Sequence, residues 1–260
     1  MMEKFVKVGI FGDSFGDVQN GGHKHYQEVS WPSQLANTFN VTNYCMSGSG
    51  LEYSLEKLYQ HEADFDKLIF ISTCPNRLMI NSHHHDKLVK NEQPIELFHH
   101  VQPSSPLGRQ GVDDKFYENA CSLAKQHYDV FVNTNHLDMR VALIWKALKD
   151  HFGDKLLLLY MSNPESVGIA GQKYLNKFNA SPDNEMCLFD MCLYEEPFVF
   201  GNNERDHNWD RRSCHLTHYH HDMMYKKIFK WIGTDEFSLT EQDLIKLDPK
   251  EISEMYYGEY

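Results

Sequence analysis

The first stretch of this sequence that could do chemistry is Gly12-Asp13-Ser14-Phe15-Gly16, which follows directly on the apolar run Lys4 to Phe11. A hydroxyl placed where a strand ends and the chain turns is a candidate nucleophile, because ligands of open α/β sheets bind at the carboxyl ends of strands. The same serine could also be an ordinary turn or N-cap residue. Asp13 reads as a carboxylate that stabilises the turn through the backbone. A nucleophile needs a base, and His215 in Ser213-Cys214-His215-Leu216-Thr217 is placed to take its proton. It also needs donors for the oxyanion that develops on attack. Gly48, in Asn43-Tyr44-Cys45-Met46-Ser47-Gly48-Ser49, lets a backbone N–H come close to a ligand. Asn76, in Ser72-Thr73-Cys74-Pro75-Asn76-Arg77, offers a side-chain amide. These are the parts that acyl transfer requires.

Four loops must bring these groups together, so the elements between them matter. Val6, Val8 and Ile10 alternate with Lys7 and Gly9, the pattern of a strand with at least one buried face. Asp17 to Ser30 is polar and reads as a loop. Trp31 to Phe39 begins a helix with Ser30 as N-cap and Pro32 in the first turn. Asn40 to Cys45 is a second strand, and Leu51 to His61 resumes helical spacing. Lys67 to Thr73 is a third strand, apolar enough to be buried on both faces. Strand, helix, strand, helix, strand predicts a parallel sheet with crossover helices. Arg77 to Asp113 has no period and reads as an insertion over the active end of the sheet. Helices are expected over Asp114 to Tyr128 and Asn135 to Phe152, strands over Lys155 to Met161 and Glu185 to Phe189. A last helix covers Thr217 to Ile232 and ends at Gly233. The domain would then span residues 1–233, with a tail at 234–260 of two short helices starting at Thr240 and Asp248.

Composition narrows the class. The chain has 260 residues, 41% of them hydrophobic, enough for a sizeable core. A net charge of -12 argues against a nucleic-acid partner, which would require basic patches. No stretch resembles a signal peptide or is long enough to span a membrane, so a cytoplasmic location is the default expectation. Cys45, Cys74, Cys121, Cys187, Cys192 and Cys214 show no paired metal spacing and read as reduced, mostly buried thiols. His83-His84-His85, His99-His100 and His218-His220-His221 invite a metal-assisted reading. No carboxylate pattern accompanies them, and a solvated, pH-sensitive face is preferred. Trp31 and Phe39 are expected in the core.

The four loops together resemble the SGNH (GDSL-type) hydrolases. The first block of that family, Gly-Asp-Ser after strand one, is matched by Gly12, Asp13 and Ser14. The second, Asn-x-x-x-Ser-Gly, is matched by Asn43, Ser47 and Gly48. Asn76 stands for the asparagine of the third, with Cys74 and Arg77 replacing its glycine and aspartate. His215-Leu216-Thr217 fits the last block, and His221 falls where a later histidine often recurs. The likeness runs through about 220 residues in the right order. It implies a flavodoxin-like three-layer α/β/α sandwich with a mostly parallel five-stranded sheet in the order 2-1-3-4-5. It further implies Ser14 as nucleophile, His215 as base, and an oxyanion hole from the Ser14 N–H, the Gly48 N–H and Asn76. One departure stands out. The aspartate expected three residues before the histidine is Arg212, which cannot accept from an imidazole N–H. Asp210 is the nearest substitute, Asp206 lies further back, and a backbone carbonyl is the remaining option. Proteins of this kind also occur in viral genomes, and the altered last block is in keeping with a divergent branch.

The function expected is cofactor-free hydrolysis of a small-molecule or carbohydrate ester, such as an O-acetyl group. Two other readings stay in view. One is a binding or assembly module that keeps the fold without catalysis, and the other is metal-assisted hydrolysis through the histidines. Gly12 to Gly16 also spells G-x-S-x-G, the nucleophile elbow of α/β-hydrolases, but that elbow normally follows several strands rather than the first.

Overall fold

In the computed structural model, the described residues are 6–18, 28–46, 49–73, 78–79, 100–101, 122–123, 126, 134–161, 177–179, 181–184, 188, 216, 218–240 and 243. Strand β1 is Lys7–Phe11, helix α1 Trp31–Ala36, strand β2 Asn40–Asn43, helix α2 Leu51–His61 and strand β3 Lys67–Ser72. After them come β4 (Leu78–Met79), β5 (His100–Val101), α3 (Thr134–Phe152), β6 (Leu156–Tyr160) and α4 (His218–Thr234). β2, β1, β3 and β6 hydrogen-bond in that order. Every pairing between them is parallel. The expected 2-1-3-4 order is therefore present. The fifth strand is not tested across its length, but Leu188, the described residue within 185–189, is helical and buried.

The sheet is apolar on both faces because helices cover both. Val8, Ile10, Ile69, Ile71, Leu157 and Leu159 face one layer, with Trp31 and Leu35 of α1 and Met224, Ile228 and Trp231 of α4. Phe11, Leu68, Phe70, Leu156 and Leu158 face the other, with Leu51 and Leu58 of α2 and Val141, Trp145 and Leu148 of α3. These are the three layers expected. Trp31 is core, as anticipated, and Phe39 packs against the same cluster.

Three local expectations are corrected. Glu28 and Val29 are helical rather than loop. Ser30 occupies the N-cap position of α1 but makes no side-chain capping bond. Its hydroxyl donates to Ser33 Oγ at 3.0 Å instead. α4 runs past Gly233 and ends where Asp235 turns left-handed, at φ 62°. Thr234 Oγ1 donates to the Lys230 carbonyl and accepts the Glu236 N–H there, closing the end locally. Within 77–113, Leu78 pairs with Val101 and Met79 with His100 in an antiparallel ladder, so the ends of this segment are joined.

Beyond α4, Leu239 is buried in the same cluster as Trp231 and Ile232. Lys227 holds this stretch by donating to the Ser238 carbonyl at 2.7 Å and pairing with Asp243 at 2.6 Å. Thr240 donates its backbone N–H to Asp243 Oδ2 at 2.9 Å, and the Asp243 N–H donates to the Thr240 carbonyl at 3.0 Å.

Candidate active site

Ser14 lies at the carboxyl end of β1, an inner strand of the sheet, and is 7% exposed. The chain turns there as a single helical turn, with the Gly16 and Asp17 N–H groups both donating to the Asp13 carbonyl at 3.1 Å. The Asp13 carboxylate accepts the Phe15 N–H at 3.2 Å, which is the turn-stabilising role expected of it. Gly12 is required by its surroundings. A Cβ there would stand 2.6 Å from Ile71 Cβ, and φ is 158°.

The peptides of this turn are tied down one after another by separate segments. The Gly12 carbonyl accepts from the Met46 N–H at 3.1 Å and from Ser49 Oγ at 3.0 Å. Trp31 Nε1 donates to the Phe15 carbonyl at 3.0 Å. Asn43 Nδ2 donates to the Gly16 carbonyl at 2.7 Å, while its own Oδ1 accepts the Cys45 N–H. Buried carbonyls need such partners. Here they come from the loop after β2 and from α1, so two distant segments fix the geometry around one serine. Asn43 was legible as part of the second block, whereas Ser49 and Trp31 carried no signal beyond their polarity and size.

Among the described residues, Cys45 is the thiol beside this turn. Burial first, then the carboxylates of Asp13 and Asp17, push its pKa well above the usual thiol value. That disfavours the thiolate, which is the reactive form of a cysteine.

Gly48, Asn76, Asp210 and His215 lie outside the described residues, as do Asp206 and Arg212. Their neighbours are informative. Leu216 is 3% exposed and belongs to the buried cluster that also holds Phe15, Trp31 and Ile71. Thr73, at the end of β3, is buried, and its Oγ1 makes no hydrogen bond.

The histidines of the last helix correct an expectation. His220 and His221 are buried, at 0% and 2% exposed, and are not a solvated face. They sit one turn ahead of Met224, with Ile228 and Trp231 beyond, so they occupy core positions of α4. Burial lowers the His220 pKa to about 4. His221 Nδ1 accepts the Trp31 backbone N–H at 3.3 Å. No group of three metal-ligating side chains occurs among the described residues. His83, His84, His85 and His99 lie outside them. No helix among the described residues is long and apolar enough to cross a membrane.

No family model matches this chain. No curated protein matches it either. Among solved structures, it is similar to the psychrotrophic esterase EstA from Pseudoalteromonas sp., with a TM-score of 0.42 and 12% identity over 88% of this chain and 99% of that one. It is similar to a lipase/acylhydrolase from Enterococcus faecalis, with a TM-score of 0.42 and 12% identity over 87% and 95%. A third is LAE5, an alpha/beta hydrolase enzyme from the metagenome of Lake Arreo, Spain, with a TM-score of 0.39 and 12% identity over 89% and 96%. At that identity and TM-score these likenesses bear on neither the activity nor the substrate of this chain.

Proposed function

We propose that this protein is a serine-dependent ester hydrolase with Ser14 as its nucleophile. The observation that carries this reading is the Ser14 turn itself. A hydroxyl stands at the carboxyl end of an inner strand, and Ser49, Trp31 and Asn43 side chains hold the carbonyls around it. These bonds hold the backbone on either side of Ser14, and a nucleophile gains from that because attack demands a fixed geometry. The shared cluster of Phe15 and Leu216 adds support, since each is the chain neighbour of a reacting residue.

In this reading Ser14 Oγ attacks the ester carbonyl and His215 takes its proton. His215 then protonates the leaving alkoxide, and water releases the acid by the same route in reverse. The Ser14 N–H, the Gly48 N–H and the Asn76 amide steady the oxyanion, each contributing about 3 kcal/mol in a comparable site. Asp210 is the proposed orienting carboxylate for His215. The substrate class is a short acyl ester or a carbohydrate O-acetyl group.

Turnover of p-nitrophenyl acetate tests this directly. Ser14→Ala and His215→Ala should each lower kcat by ~10³-fold or more. Asp210→Asn should lower it less, and a chelator should leave it unchanged. Arg212, standing where the resembling family has its aspartate, favours a second reading, a binding module without catalysis. A folded wild-type protein that turns over no ester would support that module and defeat the hydrolase.

A further inference from the structure

Trp31 makes two buried hydrogen bonds, each to a different segment of the chain. Its backbone N–H, the first of helix α1, donates to His221 Nδ1 on α4 at 3.3 Å. Its indole Nε1 donates to the Phe15 carbonyl at 3.0 Å. Trp31 is fully buried and His221 is 2% exposed, so neither bond competes with water. The first N–H of a helix has no acceptor within the helix. Here a histidine 190 residues away in sequence accepts it.

The consequence lies in what each end of this strut touches. Phe15 directly follows Ser14, and the indole fixes the Phe15–Gly16 peptide. The Asp13 carboxylate fixes the peptide before it by accepting the Phe15 N–H. The two peptides that follow the nucleophile are thus each held by a side chain, one from within the turn and one from α1. At the other end, His221 stands on the first turn of α4, and the chain entering that helix carries His215. In the proposed reaction the base, His215, is six residues before His221 in the chain, so the seating of α4 on α1 bears on where it is delivered. A misplacement of about 1 Å can cost ~10²-fold in rate.

We infer that Trp31 and His221 are positioning residues for ester hydrolysis, joining the helix behind the base to the turn of the nucleophile. Neither touches substrate in this account, which rests on the assignment of Ser14 and His215 above. The neutral His221 imidazole serves as an acceptor at Nδ1, and the indole serves as a donor that phenylalanine lacks.

The test compares Trp31→Phe, His221→Leu and His221→Asn with the wild type and Ser14→Ala, all as full chains. Far-ultraviolet circular dichroism and thermal melting establish that each is folded at the assay temperature. Trp31→Phe and His221→Leu should lower kcat for p-nitrophenyl acetate by ~10–100-fold with KM within about threefold. His221→Asn, whose Oδ1 can replace Nδ1, should recover most of the rate. A purely packing role would lower melting temperature in all three and would give no recovery specific to asparagine. A folded Trp31→Phe with wild-type kcat, while Ser14→Ala is inactive, overturns the positioning role and leaves the hydrolase standing. Should Trp31→Phe not fold, equal kcat in His221→Leu and His221→Asn overturns it instead. A wild type as inactive as Ser14→Ala defeats both the hydrolase and the positioning role.

Discussion

His220 shows how far a polar letter can mislead. Within His218-Tyr219-His220-His221 it looks solvated, yet it is fully buried and burial lowers its pKa to about 4. Its ordinary value of 6.5 applies to the unfolded chain. Between pH 6.5 and 4 the unfolded state binds a proton that the native state does not. Stability is therefore complete above 6.5 and declines as pH falls toward 4, by about 3 kcal/mol from this group. Urea midpoints measured across that window should fall in the wild type and fall less in His220→Gln. Equal slopes in the two proteins would show that His220 ionises as freely folded as unfolded. Cys45 gives a second check at this scale. Its raised pKa predicts slow alkylation by iodoacetamide at pH 8 in the native state relative to the unfolded chain, read by mass spectrometry of its peptide. A native rate equal to the unfolded one would contradict the raised pKa, which burial and then Asp13 and Asp17 produce.

At the scale of elements, α2 was legible residue for residue, because Leu51, Leu55 and Leu58 repeat at helical spacing over an uninterrupted stretch. β3 was legible because its run of apolar residues is long enough to require cover on both faces. Other features were hidden because tertiary contacts decide them. Ser30 looks like a cap, but its hydroxyl donates to Ser33 Oγ and caps no backbone N–H. Gly233 looked like a helix end, but Asp235 takes the left-handed conformation two residues later. The β4–β5 ladder has two residues on each side, too few to show a period. Among the site residues, the Ser14 turn was legible from its glycines, and Asn43 from its spacing to Ser47 and Gly48. The part of Trp31 was not, because an indole N–H bound to a backbone carbonyl leaves no pattern in sequence. Gly12 offers the sharpest test of the turn. Gly12→Ala would set a methyl 2.6 Å from Ile71 Cβ, between two backbones that cannot both yield. It should cost roughly 1–3 kcal/mol by chemical denaturation and remove ester turnover together. A fully stable, active Gly12→Ala would mean that the β1–β3 junction is looser than described.

Among the described residues the main sheet is parallel with cover on both sides, and this makes a prediction that a one-sided sheet would not. Adjacent residues of β6 point to opposite clusters, Leu157 toward α1 and α4, Leu158 toward α2 and α3, and both are fully buried. Leu157→Ala and Leu158→Ala should each destabilise the protein by about 2–5 kcal/mol. A negligible loss at either position would mean that one helical layer is missing. The same architecture explains why function was only partly legible. A sheet of this kind delivers several loops to one end, but which loops meet there depends on packing that no single motif records. The claim on which everything else turns is the nucleophilicity of Ser14, and the most direct measurement is the mass shift of peptides after incubation with a fluorophosphonate. The account predicts one covalent adduct, on the peptide containing Ser14, absent from His215→Ala at the same exposure. A folded protein that takes up no label, or takes it up on a different residue, would contradict it.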